Sequence, residues 1–239
     1  MFKLAFASEA VQRNPMRDVS VTVERVKPRA LTVEQTRDIL AGLRADPKSV
    51  RSDLPDLVSF LAATGVRISE ALAVRWSDLE LVPADVEQAP TVRVRGTVVR
   101  VKGTGLVIQE HTKGRDNDED LSLALPSWIV PILLARQVAA MPNAHDVVFP
   151  SSVGTLRDAT NFRDQWRDAR ARLELEDWVT PKSLRKAVAT AVASAKGAEA
   201  AAEQLGHASD EVTRRHYIER TRRADHRDVV ERFGPASGE

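Results

Sequence analysis

The hydrophobic pattern of this chain changes period twice, and that restricts its fold more than any other feature. Up to about residue 72, apolar side chains recur at helical spacing. Between Leu79 and Leu125 they alternate, and beyond Ser127 the helical spacing returns. One block of strands inside a helical chain is an α+β pattern: mostly α-helical with a small antiparallel β-sheet insertion. No segment repeats another.

The globular body opens at Leu31. Thr32, with Gln35 three residues later, predicts a capping box, and Val33, Ile39, Leu40 and Leu43 fall on one side of the helix that follows. A second helix is predicted over 53–63, with Pro55 in its first turn, where a missing N–H costs nothing. Gly65 closes it and a third helix starts near Ser69. The runs Thr91-Val92-Arg93-Val94-Arg95 and Val98-Val99-Arg100-Val101 alternate, punctuated by Gly96 and Gly103, and 106–108 and 121–125 add two more. These predict one antiparallel sheet joined by hairpin turns. Further helices are predicted over 127–140, 161–173, 183–195, 198–205, 209–217 and 224–233. Residues 1–30 read as a short helix over 2–11, stopped by Asn14-Pro15, followed by a linker; residues 234–239 read as a flexible tail. Trp76 and Leu79 fit core packing.

Composition removes several classes of function. The 239 residues are 43% hydrophobic and 29% charged, ordinary for a globular protein with a sizeable core. There is no cysteine, which excludes disulfides, thiolate metal sites and a cysteine nucleophile. No apolar run approaches the roughly 18 residues of a membrane helix. The apolar stretch 4–7 is too short for a secretory signal, so a cytoplasmic location is expected. The 35 Lys and Arg against 34 Asp and Glu give a formal charge of +1, too balanced to coat nucleic acid indiscriminately. The charges are nevertheless segregated: Asp116, Asp118, Glu119 and Asp120 crowd one stretch, Lys182, Arg185 and Lys186 another.

The familiar metal and nucleotide signatures fail. His207 and His216 are nine residues apart with no His-Glu-x-x-His, Gly103-Thr104-Gly105 lacks the Lys-Ser/Thr of a phosphate loop, and no Gly-x-Ser-x-Gly exists. What remains is a set of basic residues beside helix breaks. Arg67 follows Thr64-Gly65, with Glu70 three residues on. Lys113 lies in His111-Thr112-Lys113-Gly114-Arg115. Arg185 lies in Thr180-Pro181-Lys182-Ser183-Leu184-Arg185, and His207 in Leu205-Gly206-His207, with Tyr217 ten residues later. Two arginines, a lysine and a histidine suit the neutralising and protonating of a phosphodiester. Arg185 near a helix start opposes the dipole there, which an anionic ligand would explain. Tyr217 is the only tyrosine in the chain.

These motifs resemble the signature boxes of the tyrosine recombinases, phage-type integrases in particular, and the resemblance runs from about Leu31 to Phe233. It implies a DNA breaking-and-rejoining catalytic fold over 31–233, with 1–30 as the remnant helix and linker of a core-site DNA-binding domain. It also implies that Tyr217 attacks a DNA phosphate, forming a 3′-phosphotyrosyl link and freeing a 5′-hydroxyl. Arg67 and Arg185 would clamp the phosphoryl group, Lys113 would protonate the leaving 5′-oxygen, His207 would donate a hydrogen bond, and Glu70 would orient Arg67. Lys182, which the resemblance adds to the catalytic set as a contact to the phosphate, stands where the second box usually opens with histidine, and Lys186 where another histidine is common. Lys182, Lys186 and Arg115 are DNA-contact candidates.

No metal and no cofactor are implied. The implied partner is double-stranded DNA bearing attachment-type sites, bound by a homotetramer, with accessory directionality or DNA-bending proteins and no membrane. A catalytic domain alone is expected to bind DNA weakly and with a steep salt dependence. Val229, Val230 and Phe233 are candidates either for a contact exchanged with a neighbouring subunit or for packing within the chain. The competing readings are a type IB topoisomerase, which shares the chemistry, and a non-catalytic DNA-binding relative. The spelling of the boxes and the small size favour a recombinase over the first; the intact set of polar residues favours it over the second.

Overall fold

Thr32 adopts extended backbone, its hydroxyl accepts the Gln35 N–H at 3.1 Å, and the Gln35 side chain accepts the Thr32 N–H at 3.0 Å. The capping box therefore starts helix α1 (Val33–Ala45) where the spacing predicts it. The computed structural model describes residues 29–110, 120–206 and 223–234. The expected helices over 2–11 and 209–217 and the tail after Gly234 lie outside them. Ile39, Leu40 and Leu43 of α1 are buried and Val33 packs against the core edge. Asp46 ends α1 and caps α2 (Pro47–Arg51), accepting N–H bonds from Lys48 and Ser49. Hydrophobic spacing does not reveal α2, because its buried residue is Ser49 and its apolar Val50 is exposed.

Helix α3 (Leu54–Thr64) is the centre of the molecule: every residue except Asp56 is buried. Its start is fixed by Arg136, whose guanidinium donates to both carboxylate oxygens of Asp53 at 2.6 Å and, through Nε, to the Val148 carbonyl at 2.7 Å. Its end is fixed by Gly65 at φ +72°. The third helix, α4 (Ile68–Ala71), is a single turn. Trp76 and Leu79 pack half-buried against the core, as expected.

The strands form two sheets, which corrects the expectation of one. Strands β1 (Leu79–Glu80), β2 (Thr91–Val94), β5 (Leu121–Ala124) and β6 (Arg223–Ala224) lie in the order β1-β2-β5-β6. A separate antiparallel hairpin is made by β3 (Thr97–Val101) and β4 (Gly105–Gln109). The two alternating runs around Gly96 do not pair with each other. Gly96 lets the chain cross to the second sheet at close quarters, since a Cβ there would lie 3.0 Å from Ile108 and 3.1 Å from the Gln109 carbonyl oxygen. Nor is the sheet wholly antiparallel, because β6 joins β5 in parallel. Alternation identifies a strand but carries no information on which strand it pairs with.

Beyond the sheets come a 3-10 turn (Ser127–Ile129) leading into α5 (Val130–Ala139), then α6 (Ala159–Arg172), α7 (Pro181–Lys196) and α8 (Ala198–Gln204). The Trp166 indole donates to the Val179 carbonyl at 3.1 Å, which ties α6 to the start of α7. The helix expected over 224–233 is instead strand β6, one turn of helix α9 (Arg227–Val230) and a 3-10 turn (Glu231–Phe233). Val229, Val230 and Phe233 are buried in the chain's own core, so of their two expected roles the structure shows intramolecular packing. Lys196 pairs with Asp228 at 2.7 Å and the Trp128 indole donates to the Val230 carbonyl at 3.1 Å, fastening this end to α7 and to the 127–129 turn. One hydrophobic cluster runs from Leu31 to Phe233. Among the described residues no helix is long and apolar enough to cross a membrane.

Two ion pairs between distant segments, Arg172 with Asp46 and Arg100 with Asp158, depend on carboxylates. Hydrogen bonds from Arg172 and Ser49 hold the Asp46 carboxyl well below the usual carboxylate range, and Arg100 and the Thr160 N–H lower Asp158 in the same direction. A carboxyl depressed on folding stabilises the native state above its unfolded value of about 3.9, and that contribution is lost as pH falls toward the folded value. The thermal midpoint is therefore expected to drop on acidification below about pH 4. A double variant, Asp46→Asn with Asp158→Asn, should flatten that slope in circular-dichroism melts between pH 7 and 3; an unchanged slope would refute the assignment.

Candidate active site

Box one is built by the end of α3 and the single turn α4. Glu70 is 2% exposed, and its carboxylate accepts the backbone N–H of Arg67 at 2.8 Å and the Arg67 guanidinium at 2.8 Å. The pair is thus asymmetric: the anion is buried while 43% of the Arg67 side chain remains open to solvent. An exposed pair of two solvated charges would contribute only about 0–1 kcal/mol. Here the carboxylate fixes both the backbone and the head of Arg67, the orienting part that the sequence reading gives to Glu70.

Arg185 lies in the second turn of α7, half-buried, and faces two helix ends. Its Nη1 donates to the Gly65 carbonyl at 2.7 Å and its Nη2 to the Leu205 carbonyl at 3.0 Å. Gly65 caps the C-terminus of α3 and Leu205 that of α8, so the guanidinium satisfies carbonyls that no helix can satisfy internally. A cation at this position is therefore explained by internal acceptors, a correction to the view that an anionic ligand is needed to account for it.

These groups open on one cleft of about 830 Å³. Arg67, Lys182, Arg185 and Lys186 line it together, joined by Arg163, Arg167 and Arg170 of α6; among the described residues lining it, none is Asp or Glu. Arg167 pairs with Asp164 and Arg170 with Asp177, each at 2.7 Å. Arg163, Lys182 and Lys186 have no ion-pair partner among the described residues. Leu61, Val66, Ile68, Trp166 and Ala189 supply apolar walls. Uncompensated cations between low-dielectric walls focus a positive potential, and a formal charge of only +1 for the chain shows how unevenly its charge is spread. Such a cleft suits a polyanion.

Residues 29–223 match the Phage integrase family. The chain belongs to this family of tyrosine recombinases. The integrase-family chain is 32% identical over 200 residues to the tyrosine recombinase XerC of Rhodospirillum centenum, with 81% of the chain and 51% of that protein covered. It is 27% identical over 212 residues to the tyrosine recombinase XerD of Halalkalibacterium halodurans, covering 87% and 62%. It thus spans about half the length of the first relative and 62% of the second. The integrase of transposon Tn1549, solved with transposon right end DNA, superposes with a TM-score of 0.74 at 18% identity, over 92% of this chain and 72% of that one. XerA recombinase gives 0.57 at 21% identity, over 91% and 68%. These structural likenesses establish the fold.

Of the expected site residues, the integrase fold brings Arg67, Glu70, Lys182, Arg185 and Lys186 together. Lys113 and Arg115, in the stretch between β4 and β5, and His207 and Tyr217, in the stretch between α8 and β6, lie outside the described residues. The sequence reading missed Arg163, Arg167 and Arg170. Their spacing of four and then three puts them on one face of a helix, and that signal was available.

Gly65 is the joint at which the boxes meet. A Cβ there would come within 3.0 Å of Val188 on α7 and 3.1 Å of Leu205, and φ is +72°. Gly65→Ala combines left-handed backbone, about 1–2 kcal/mol, with overpacking, about 1–3 kcal/mol. A loss of about 2–5 kcal/mol in urea unfolding is expected, and a change under about 0.5 kcal/mol would show that the approach is not tight.

Proposed function

We propose that this chain is the catalytic part of a site-specific DNA recombinase, cleaving and rejoining strands through a 3′-phosphotyrosine, as in integration and excision of phage DNA. The observation that carries the reading is a cleft whose described lining holds no Asp or Glu, in which Arg67 of box one and Arg185 of box two share one space with Arg163, Lys182 and Lys186, which have no ion-pair partner among the described residues. In it the Tyr217 oxygen loses its proton to solvent and attacks phosphorus, the bond to the 5′-oxygen breaks, and that oxygen takes its proton from Lys113. The number of phosphoester bonds is conserved, so a 5′-hydroxyl can reverse the step without ATP. Tyrosine, with an ordinary pKa near 10, is a poor nucleophile at neutral pH, so preorganised cations around the phosphoryl group must supply the rate. Arg67, held by Glu70, and Arg185 supply them, and His207 adds a donor. Lys182, Lys186, Arg115 and Arg163 neutralise flanking phosphates.

The proposal places the catalytic domain at 31–233 and the working form in a homotetramer on double-stranded DNA in the cytoplasm. Incubation with a nicked suicide duplex, followed by a denaturing gel, tests it. A band of covalent protein–DNA adduct is expected. Duplexes that bind but never yield an adduct would leave a non-catalytic DNA-binding module instead.

A further inference from the structure

The ends of α3 and α8 are joined by more than Arg185. Gln204, the last residue of α8, is 1% exposed, and its Nε2 donates to the Thr64 carbonyl at 2.9 Å across 140 positions of sequence. The Thr64 hydroxyl does not compete, because it donates to the Phe60 carbonyl at 2.7 Å. One residue further along both segments, Arg185 bridges the Gly65 and Leu205 carbonyls. Thr64 and Gly65 on one helix end, Gln204 and Leu205 on the other, and the Arg185 guanidinium between them close a ring of three buried or half-buried hydrogen bonds. Arg67 leaves this ring two residues after Gly65, and His207 two residues after Leu205.

We propose that Gln204 is a positioning residue for strand cleavage: its amide sets the spacing of the two helix ends and so the place from which Arg185 acts. The inference rests on the recombinase reading above. An apolar side chain would fill the same space but leave the Thr64 carbonyl without this donor, whereas a buried amide with one designated carbonyl fixes a single geometry. The ring is geometrically determinate. If the Gln204 contact is removed, the hydrogen bonds that join the α8 end to α3 among the described residues all run through Arg185, and the guanidinium follows whichever carbonyl moves. Displacements of about 1 Å in a catalytic group cost about 100-fold in rate.

The test uses the whole chain with Gln204→Met, which keeps length and volume but removes the donor, beside Leu133→Ala, a core change away from the cleft that lowers the melting temperature. Cleavage of the suicide duplex at saturating DNA is expected to fall about 100-fold in Gln204→Met with Kd within about twofold. A loss no larger than that of Leu133→Ala at an equal drop in melting temperature would overturn the proposal. If Gln204→Met fails to fold, Gln204→Asn decides, because it keeps the amide one methylene short. A rate within twofold of the parent overturns the idea, and a fall of about 10-fold in a folded protein with unchanged Kd supports it. An inactive parent chain would overturn the recombinase reading and with it a role in cleavage; an active parent with an unaffected Gln204→Met would overturn this inference alone. Heteronuclear NMR of the Arg185 guanidinium answers independently of activity: its resolved side-chain signals are expected to collapse in Gln204→Met while those of Arg136 persist. Signals retained in the variant would overturn the proposal.

Discussion

Tyr217→Phe is expected to reduce covalent adduct formation to the uncatalysed background while leaving DNA affinity within about twofold of the parent. The substitution removes one oxygen and no charge, so contacts made by arginine and lysine to phosphates persist. No other phenol can substitute, because Tyr217 is the only tyrosine in the chain. The denaturing-gel assay reads the adduct and a filter-binding titration reads the affinity. An adduct that survives in the variant would transfer the nucleophile to serine, threonine or histidine and overturn the assignment.

The second large effect is expected at Arg185. Arg185→Ala leaves the Gly65 and Leu205 carbonyls without this donor, at about 1–3 kcal/mol each, so urea unfolding should report a loss of about 2–6 kcal/mol. Arg185→Lys keeps the charge but not the planar fork, and one ammonium cannot reproduce the pair of bonds from Nη1 and Nη2. It should retain more stability than the alanine variant yet lose cleavage by about 100- to 1,000-fold, the usual cost of one preorganised donor to a reacting oxyanion. A lysine variant with full cleavage would mean that charge alone is required there.

The longer helices of the fold were legible because their signals are local, whereas the one-turn pieces over 47–51 and 227–233 were not. Thr32 and Gln35 announce α1, Pro55 and Gly65 bracket α3, and Pro181 opens α7. The sheet was legible only as strands. That β2 turns from β3 to β5, and that residues 223–224 lie beside β5, depends on contacts between distant segments that alternation does not encode. Among the site residues, Arg67 and Glu70 could be read from their three-residue spacing and Arg185 from its box. The acceptors of Arg185 could not, since backbone carbonyls leave no mark in a sequence. Gln204 was invisible for a related reason: in Ala198–Gln204 it looks like an ordinary polar helix former, and only its burial against Thr64 singles it out.

The parallel pairing of residues 223–224 with β5 sets an upper bound on the distance between Tyr217 and the sheet. Tyr217 is attached to the body on both sides, at Gly206 before it and at Arg223 after it, and the shorter leash is six residues. A fully extended peptide gains at most about 3.6 Å per residue, so the Tyr217 Cα stays within roughly 20 Å of β6. Under the proposed function, a scissile phosphate must then come within that radius, lengthened by one tyrosine side chain, of β6, so contour length as well as affinity restricts which duplexes are substrates.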